Sequence, residues 1–230
     1  MEKLVYLLWR NVESSGDVFA KEVVASAGPA LVRLGARGVV VHVADGDADL
    51  AQSVPVRDER DPIAGTASFW LHSVDEREPF ERVLREVSAR IAGYLVTESV
   101  PRDFDRRDWP DGARCPGAVM ISVFPQPARL SREQFIARWH GSHTPLALEV
   151  HPLWRYVRNV VARGLTPGAP AYAGIVEEHV RAPEDLFDPV RFYGGAERAE
   201  RNMARILEDA RTFLDLDDVM SVVTSAYILS

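Results

Sequence analysis

Lysine is almost missing from this 230-residue chain: it stands only at Lys3 and Lys21, every other cation being arginine, which we read as base composition. The formal net charge is −7 and the isoelectric point near 5.4. Such a chain has little chance of presenting the basic face that neutralises phosphates, which argues against a nucleic-acid partner. Cysteine is scarcer still. Cys115 stands alone, so no internal disulfide can form, and a reducing, cytoplasmic setting is the expectation. No apolar run approaches the roughly 20 residues that cross a bilayer. The opening MEKLVYLLWR lacks a signal peptide's cleavage region and reads as a strand, so no membrane partner is expected. GxGxxG, phosphate-loop, GxSxG and HExxH motifs are absent too, which removes the usual support for nucleotide, flavin and standard hydrolase chemistry.

What is present is an ordinary globular balance, 47% hydrophobic and 27% charged, in a chain long enough to bury its own core. Apolar strands are predicted at 3–10, 38–44, 67–74 and 93–100, with helices at 17–34 and 75–91, the first carrying a stripe through Phe19, Val23, Val24, Ala27 and Leu31. That order, β-α-β-β-α-β, is the ferredoxin-like split pattern. Residues 45–65 read as a long polar loop; Asp45, Asp47 and Asp49 imitate the start of a calcium loop, but Leu50 and Val56 stand where it needs glycine and glutamate. A charged stretch with three prolines, 101–116, reads as a linker between an N-terminal half, 1–100, and a C-terminal half, 117–230. The order then repeats: strand 117–125, helix 131–150, strands 153–161 and 171–181, helix 195–213, strand 219–229. At an offset of 116, Ser15 meets Ser131, Phe19 meets Phe135, Pro29 meets Pro145 and Val5 meets Ile121, as a duplicated unit would.

The copies differ where chemistry is possible. His143 replaces Ala27, Trp139 replaces Val23, Tyr156 replaces Val40 and Asn159 replaces Val43. Burying an imidazole and an amide costs free energy unless each finds a partner, so packing alone does not call for them. Ser131 with Gln134 is a capping box, and Phe135, Ile136, Trp139, His143, Leu146 and Val150 then share one helix face. Gly141 and the pair Thr144-Pro145 predict a break beside His143, with Thr144 as a new N-cap. His143 is the candidate general base. Tyr156 or Asn159 would hold a developing oxyanion; three apart on a strand, they face opposite sides unless a bulge intervenes. Trp139 would form the wall of a cavity, with Phe135 and His140 beside it. Of the neighbours Glu177 and Glu178 one should face inward, unless both are strand-end charges. His140, His143 and His151 lack the spacing of a zinc site, so no metal is expected. His42, His72 and Trp70 read as core or rim of a scaffold half, and Cys115 as inert.

The run 117–159, with its strand, Phe135, Trp139, His143, Pro145 and the Tyr156–Asn159 pair, resembles the EthD domain, a branch of the dimeric α+β barrel superfamily; Phe213-Leu214-Asp215 resembles that domain's ending. The resemblance implies an α+β protein whose two fused ferredoxin-like (βαββαβ) halves close into one barrel. It also implies a range of activities, from cofactor-free cyclases and monooxygenases to decarboxylases, dehydratases and haem-binding enzymes. Together these readings point to a cofactor-independent acid/base enzyme acting on an aromatic or polyketide-like carbonyl compound, by cyclisation, dehydration, decarboxylation or oxygenation. His143 would be its base, Tyr156 and Asn159 its further catalytic candidates, and Trp139, His140, Phe135 and Glu178 its substrate contacts. The alternative is a non-catalytic binding protein for a hydrophobic metabolite. The expected partner is a hydrophobic or aromatic small molecule, and a homodimer is compatible with either reading.

Overall fold

The computed structural model describes residues 1–45 and 63–229. Nearly all of the loop read between Asp45 and Gly65, including Asp47 and Asp49, lies outside them.

The first half runs β1 (Glu2–Trp9), α1 (Gly16–Glu22), α2 (Gly28–Arg33), β2 (Arg37–Val43), β3 (Gly65–Leu71), α3 (Glu78–Val87) and β4 (Arg90–Arg102). The second runs β5 (Ala118–Phe124), α4 (Arg132–Arg138), α5 (Thr144–Val150), β6 (Leu153–Gly164), β7 (Gly174–Val180), the short helices α6 (Glu184–Phe187) and α7 (Pro189–Phe192), α8 (Ala199–Phe213) and β8 (Met220–Ile228). The eight strands of the described residues close into one barrel in the order β1-β3-β2-β8-β5-β7-β6-β4. Each half contributes four consecutive antiparallel strands, and the seams are β2 on β8 and β4 on β6. The fold is therefore two fused ferredoxin-like halves forming an α+β barrel, a closure that leaves no sheet edge exposed. Among the described residues no helix is long and apolar enough to cross a membrane.

Alternation along each strand sorts side chains to two sides. One set fills the barrel interior: Val5, Leu7, Trp9, Tyr94, Val96, Val119, Ile121, Val123 and Ile175 are all buried there. The other set meets the helices. In the first half aromatic rings fill the centre of that layer, with Tyr6 stacked on Phe69 and Phe69 on Phe80. Tyr6 also donates to Glu81 at 3.1 Å. Close packing extends to the backbone: a Cβ on Gly93 would lie 2.4 Å from the Tyr6 ring.

Both helix pairs begin at the expected serines. Ser15 accepts from the Val18 amide, and Ser131 from the Gln134 amide with the reciprocal Gln134 contact in place. The expected break beside His143 is instead a π turn, Trp139–His143, joining α4 to α5. Thr144 does not cap a new helix. Its amide bonds back to the Trp139 carbonyl, its hydroxyl donates to the same oxygen at 3.0 Å, and it accepts from Arg158 at 2.9 Å. Inserting one wider turn absorbs what Pro145 would otherwise disrupt. The first half carries a matching π turn, Val23–Ala27, at the same 116-residue offset as the sequence repeat. Other boundaries move for local reasons. The helix expected from Asp75 starts at Glu78 because Ser73 caps a 3₁₀ turn first, with Pro79 in the first helical turn.

Candidate active site

In the second half β5, the π turn, β6, β7 and α8 surround a cavity of about 100 Å³ between sheet and helices. Phe124, Trp139, Val176, Phe213, Leu214 and Val219 form most of its wall; Ser122, His143, Tyr156 and Glu178 supply its polar atoms. Trp139 is pinned edge-on against Phe124, with ring centres 5.1 Å apart. Gly174 admits both rings, since a Cβ there would lie 2.4 Å from Phe124 and 2.8 Å from Trp139.

His143 projects from the π turn and packs over Phe213, ring centres 5.0 Å apart. Its Nδ1 donates to Oδ2 of Asp209 on α8 at 2.9 Å. The other oxygen of Asp209 accepts from Ser142, so the carboxylate is held from two adjacent residues of the turn. A carboxylate can only accept, which places the proton on Nδ1 and leaves the Nε2 lone pair without a partner among the described residues. Burial pushes the imidazole below its ordinary pKa, and the Asp209 carboxylate pulls it partly back. At neutral pH the ring is a neutral base with an oriented partner.

Glu178 enters the same cavity from β7, opposite Tyr156 of β6 in the strand register. Burial pushes its carboxyl up to about 7. Burial, and then the charge of Glu178, raises the Tyr156 hydroxyl, so the phenol remains a hydrogen-bond donor. One proton acceptor and two proton donors therefore share a small, mostly apolar space.

The other sequence-derived candidates fall elsewhere. Asn159 sits across the sheet from Tyr156, in the barrel interior, where its Nδ2 donates to Glu177 at 3.1 Å; period two alone separates it from His143. Phe135 is fully buried behind Trp139 and does not line the cavity. His140 lies on the far side of Trp139, ring centres 5.0 Å apart. Burial, then Arg158 and Arg132, push it down to about 4. His151 is spent on the Phe192 carbonyl at 3.0 Å. Neither glutamate of the 177–178 pair is a solvated strand-end charge. Glu177 faces inward; burial opposes its ionisation, but Lys3, His179, His42 and Arg155 hold it well below the usual carboxylate range.

Asp209 escaped the sequence reading, although a signal existed. It shares the helix face of Ile206, Ala210 and Phe213, all buried, and a carboxylate on an apolar stripe asks for a partner.

Residues 127–217 match the family model described as the EthD domain. No curated protein matches the sequence. Among solved structures, an anthrone oxidase-like protein is similar at 13% identity and a TM-score of 0.56, with 98% of this chain and 91% of that one covered. A candidate monooxygenase from Fusobacterium nucleatum subsp. nucleatum is similar at 8% identity and a TM-score of 0.51, covering 100% and 92%. A dye-decolorizing peroxidase from Bacteroides thetaiotaomicron is similar at 9% and 0.50, covering 99% and 93%. At these identities the likeness is one of fold. Residues 127–217 thus match the EthD domain model, within a single chain whose strands close into an α+β barrel.

Proposed function

We propose that the protein is a cofactor-independent acid/base enzyme whose substrate is an aromatic or polyketide-like carbonyl compound, converted by cyclisation, dehydration, decarboxylation or oxygenation. His143 in the cavity wall, held at Nδ1 by Asp209, carries this reading. Nε2 of His143 removes a proton from a carbon next to a carbonyl, or from a phenol, and Asp209 stabilises the imidazolium that results. Protonated Glu178 and the Tyr156 hydroxyl hydrogen-bond to the oxygen on which charge develops. A cavity of about 100 Å³ is smaller than the roughly 300 Å³ at which pockets for whole drug-sized ligands begin, so it holds the reacting ring of a larger molecule. The anthrone oxidase-like and monooxygenase-like relatives in fold are compatible with any of the four reactions.

The test is untargeted. Wild-type protein and His143→Ala are incubated with a small-molecule extract of the source organism, and mass spectrometry follows what is lost and formed. A mass change that depends on His143 is expected, and its size names the reaction: loss of water, loss of carbon dioxide or gain of oxygen. A hydrophobic compound carried unchanged by both proteins would instead make this a binding protein.

The rate should depend on pH as a bell. Activity needs neutral His143, whose pKa lies below its ordinary value, and protonated Glu178, whose pKa is about 7. Rates therefore rise below the usual histidine range and fall as pH passes about 7. In Glu178→Gln the alkaline limb should vanish; an unmoved limb would assign it to another group.

A further inference from the structure

We propose that the barrel interior binds a divalent transition-metal ion through Nε2 of His42, Nε2 of His179 and the carboxylate of Glu177. This cluster lies inside the barrel, on the opposite face of the sheet from the His143 cavity, and owes nothing to the reaction assigned there. The three donor atoms lie within 4.8 Å of one another, and all three residues are buried. Oε2 of Glu177 stands 3.8 Å from each Nε2. That is too long for a hydrogen bond. It is close to the spacing of atoms around a metal with bonds of about 2.0–2.2 Å, reached by a contraction of a few tenths of an ångström.

The surroundings fit a cation. Both Nε2 atoms, and Oδ1 of Asn159 beside them, are buried without a hydrogen-bond partner among the described residues. Such a concentration of unanswered polar atoms at one point calls for a bound group. Two of the three ligands are also oriented from behind. Nδ1 of His42 is 2.8 Å from the Thr66 hydroxyl, which fixes the ring and aims Nε2 at Glu177. Asn159 holds Oε1 of Glu177 and leaves Oε2 to the two imidazoles. Two cations stand nearby, each with a closer anion of its own: Lys3 pairs with Glu98 and reaches Oε1 of Glu177 only at 3.9 Å, and Arg155 pairs with Asp103 at 2.9 Å. Arg155 reaches Glu177 only through a longer Nη1 contact of 3.6 Å. The net charge of the group is therefore negative through Glu177 alone.

Access exists at the end of the barrel. A cavity of about 290 Å³ reaches Glu177 past Lys3, Ser68, Trp70, Phe104 and Arg155. Two imidazoles and one carboxylate favour zinc or ferrous iron over calcium or magnesium, which take oxygen ligands, and leave coordination positions for water on the cavity side.

Tag-free full-length protein, freed of metal by chelator, is titrated with Co²⁺ and then Zn²⁺, followed by visible absorption and elemental analysis. One Co²⁺ per chain is expected, with the d–d bands of a low-coordinate histidine site that Zn²⁺ abolishes, and a raised unfolding temperature. The bands should disappear in His179→Ala and in the gentler His42→Gln, both checked for folding by circular dichroism, and survive in His140→Ala. Failure of the wild type to bind Co²⁺ overturns the proposal whatever the variants do. So does binding that persists in folded His179→Ala or His42→Gln, which would place the ion at another histidine.

Discussion

Asp209→Asn should slow the His143-dependent conversion by about 10²-fold, against about 10²–10⁴-fold for His143→Ala, with the circular dichroism of both variants unchanged. The asparagine preserves size but not chemistry. Its amide nitrogen can donate to Nδ1 and so favour the tautomer whose proton sits on Nε2, the atom that must accept. It also cannot stabilise the imidazolium formed when His143 takes a proton. Because Asp209 raises the His143 pKa against burial, its removal lets burial act alone, and the acid limb of the rate profile moves to lower pH. The two residues act as a unit, so the double variant should be no slower than His143→Ala. A double variant slower by a further large factor would give Asp209 a role of its own, and an Asp209→Asn enzyme with wild-type rates would reduce it to a packing contact.

Glu178→Gln is expected to do the reverse to stability. The folded carboxyl titrates at about 7 against an ordinary value of 4.5, a difference worth about 3 kcal/mol between its protonation states. The sign follows from linkage. Below pH 4.5 the group is protonated in folded and unfolded chains alike, and its raised pKa costs nothing. As pH rises from 4.5 through 7, the unfolded state ionises first and stability is lost. Glutamine carries no charge to bury. The variant should therefore be more stable than wild type by about 3 kcal/mol above pH 7, and nearly equal to it below pH 4.5, in urea or thermal unfolding. A variant less stable than wild type above pH 7 would mean that the carboxylate has a favourable folded-state partner. With the expected sign, the cavity holds an acid that the fold alone would be better without, as sites tuned for proton transfer often do.

Much of this architecture was legible from local rules. Ser15 and Ser131 cap as their spacing to the following helices requires, and the repeat that aligns them also aligns the two π turns. The turns themselves were hidden: proline after threonine looks like a restart, and only the Arg158 and Trp139 contacts of Thr144 decide otherwise. Strand periodicity separated Tyr156 from Asn159 but could not say which faced the helices. His72 illustrates a boundary effect, since β3 stops at Leu71 and leaves it exposed. The cluster of His42, Glu177 and His179 had no sequence signature at all. Its members come from strands of different halves and meet only across the closed interior.

That closure has a genetic corollary. In a barrel assembled from two identical chains, every substitution is made twice, once in each sheet, and must be tolerated in both places. Carrying both halves on one polypeptide, with seams at β2 on β8 and β4 on β6, removes this symmetry constraint. Tyr6, Phe69 and Phe80 can then fill the centre of one helix layer while the equivalent layer stays hollow around His143, and neither sheet has to compromise for the other.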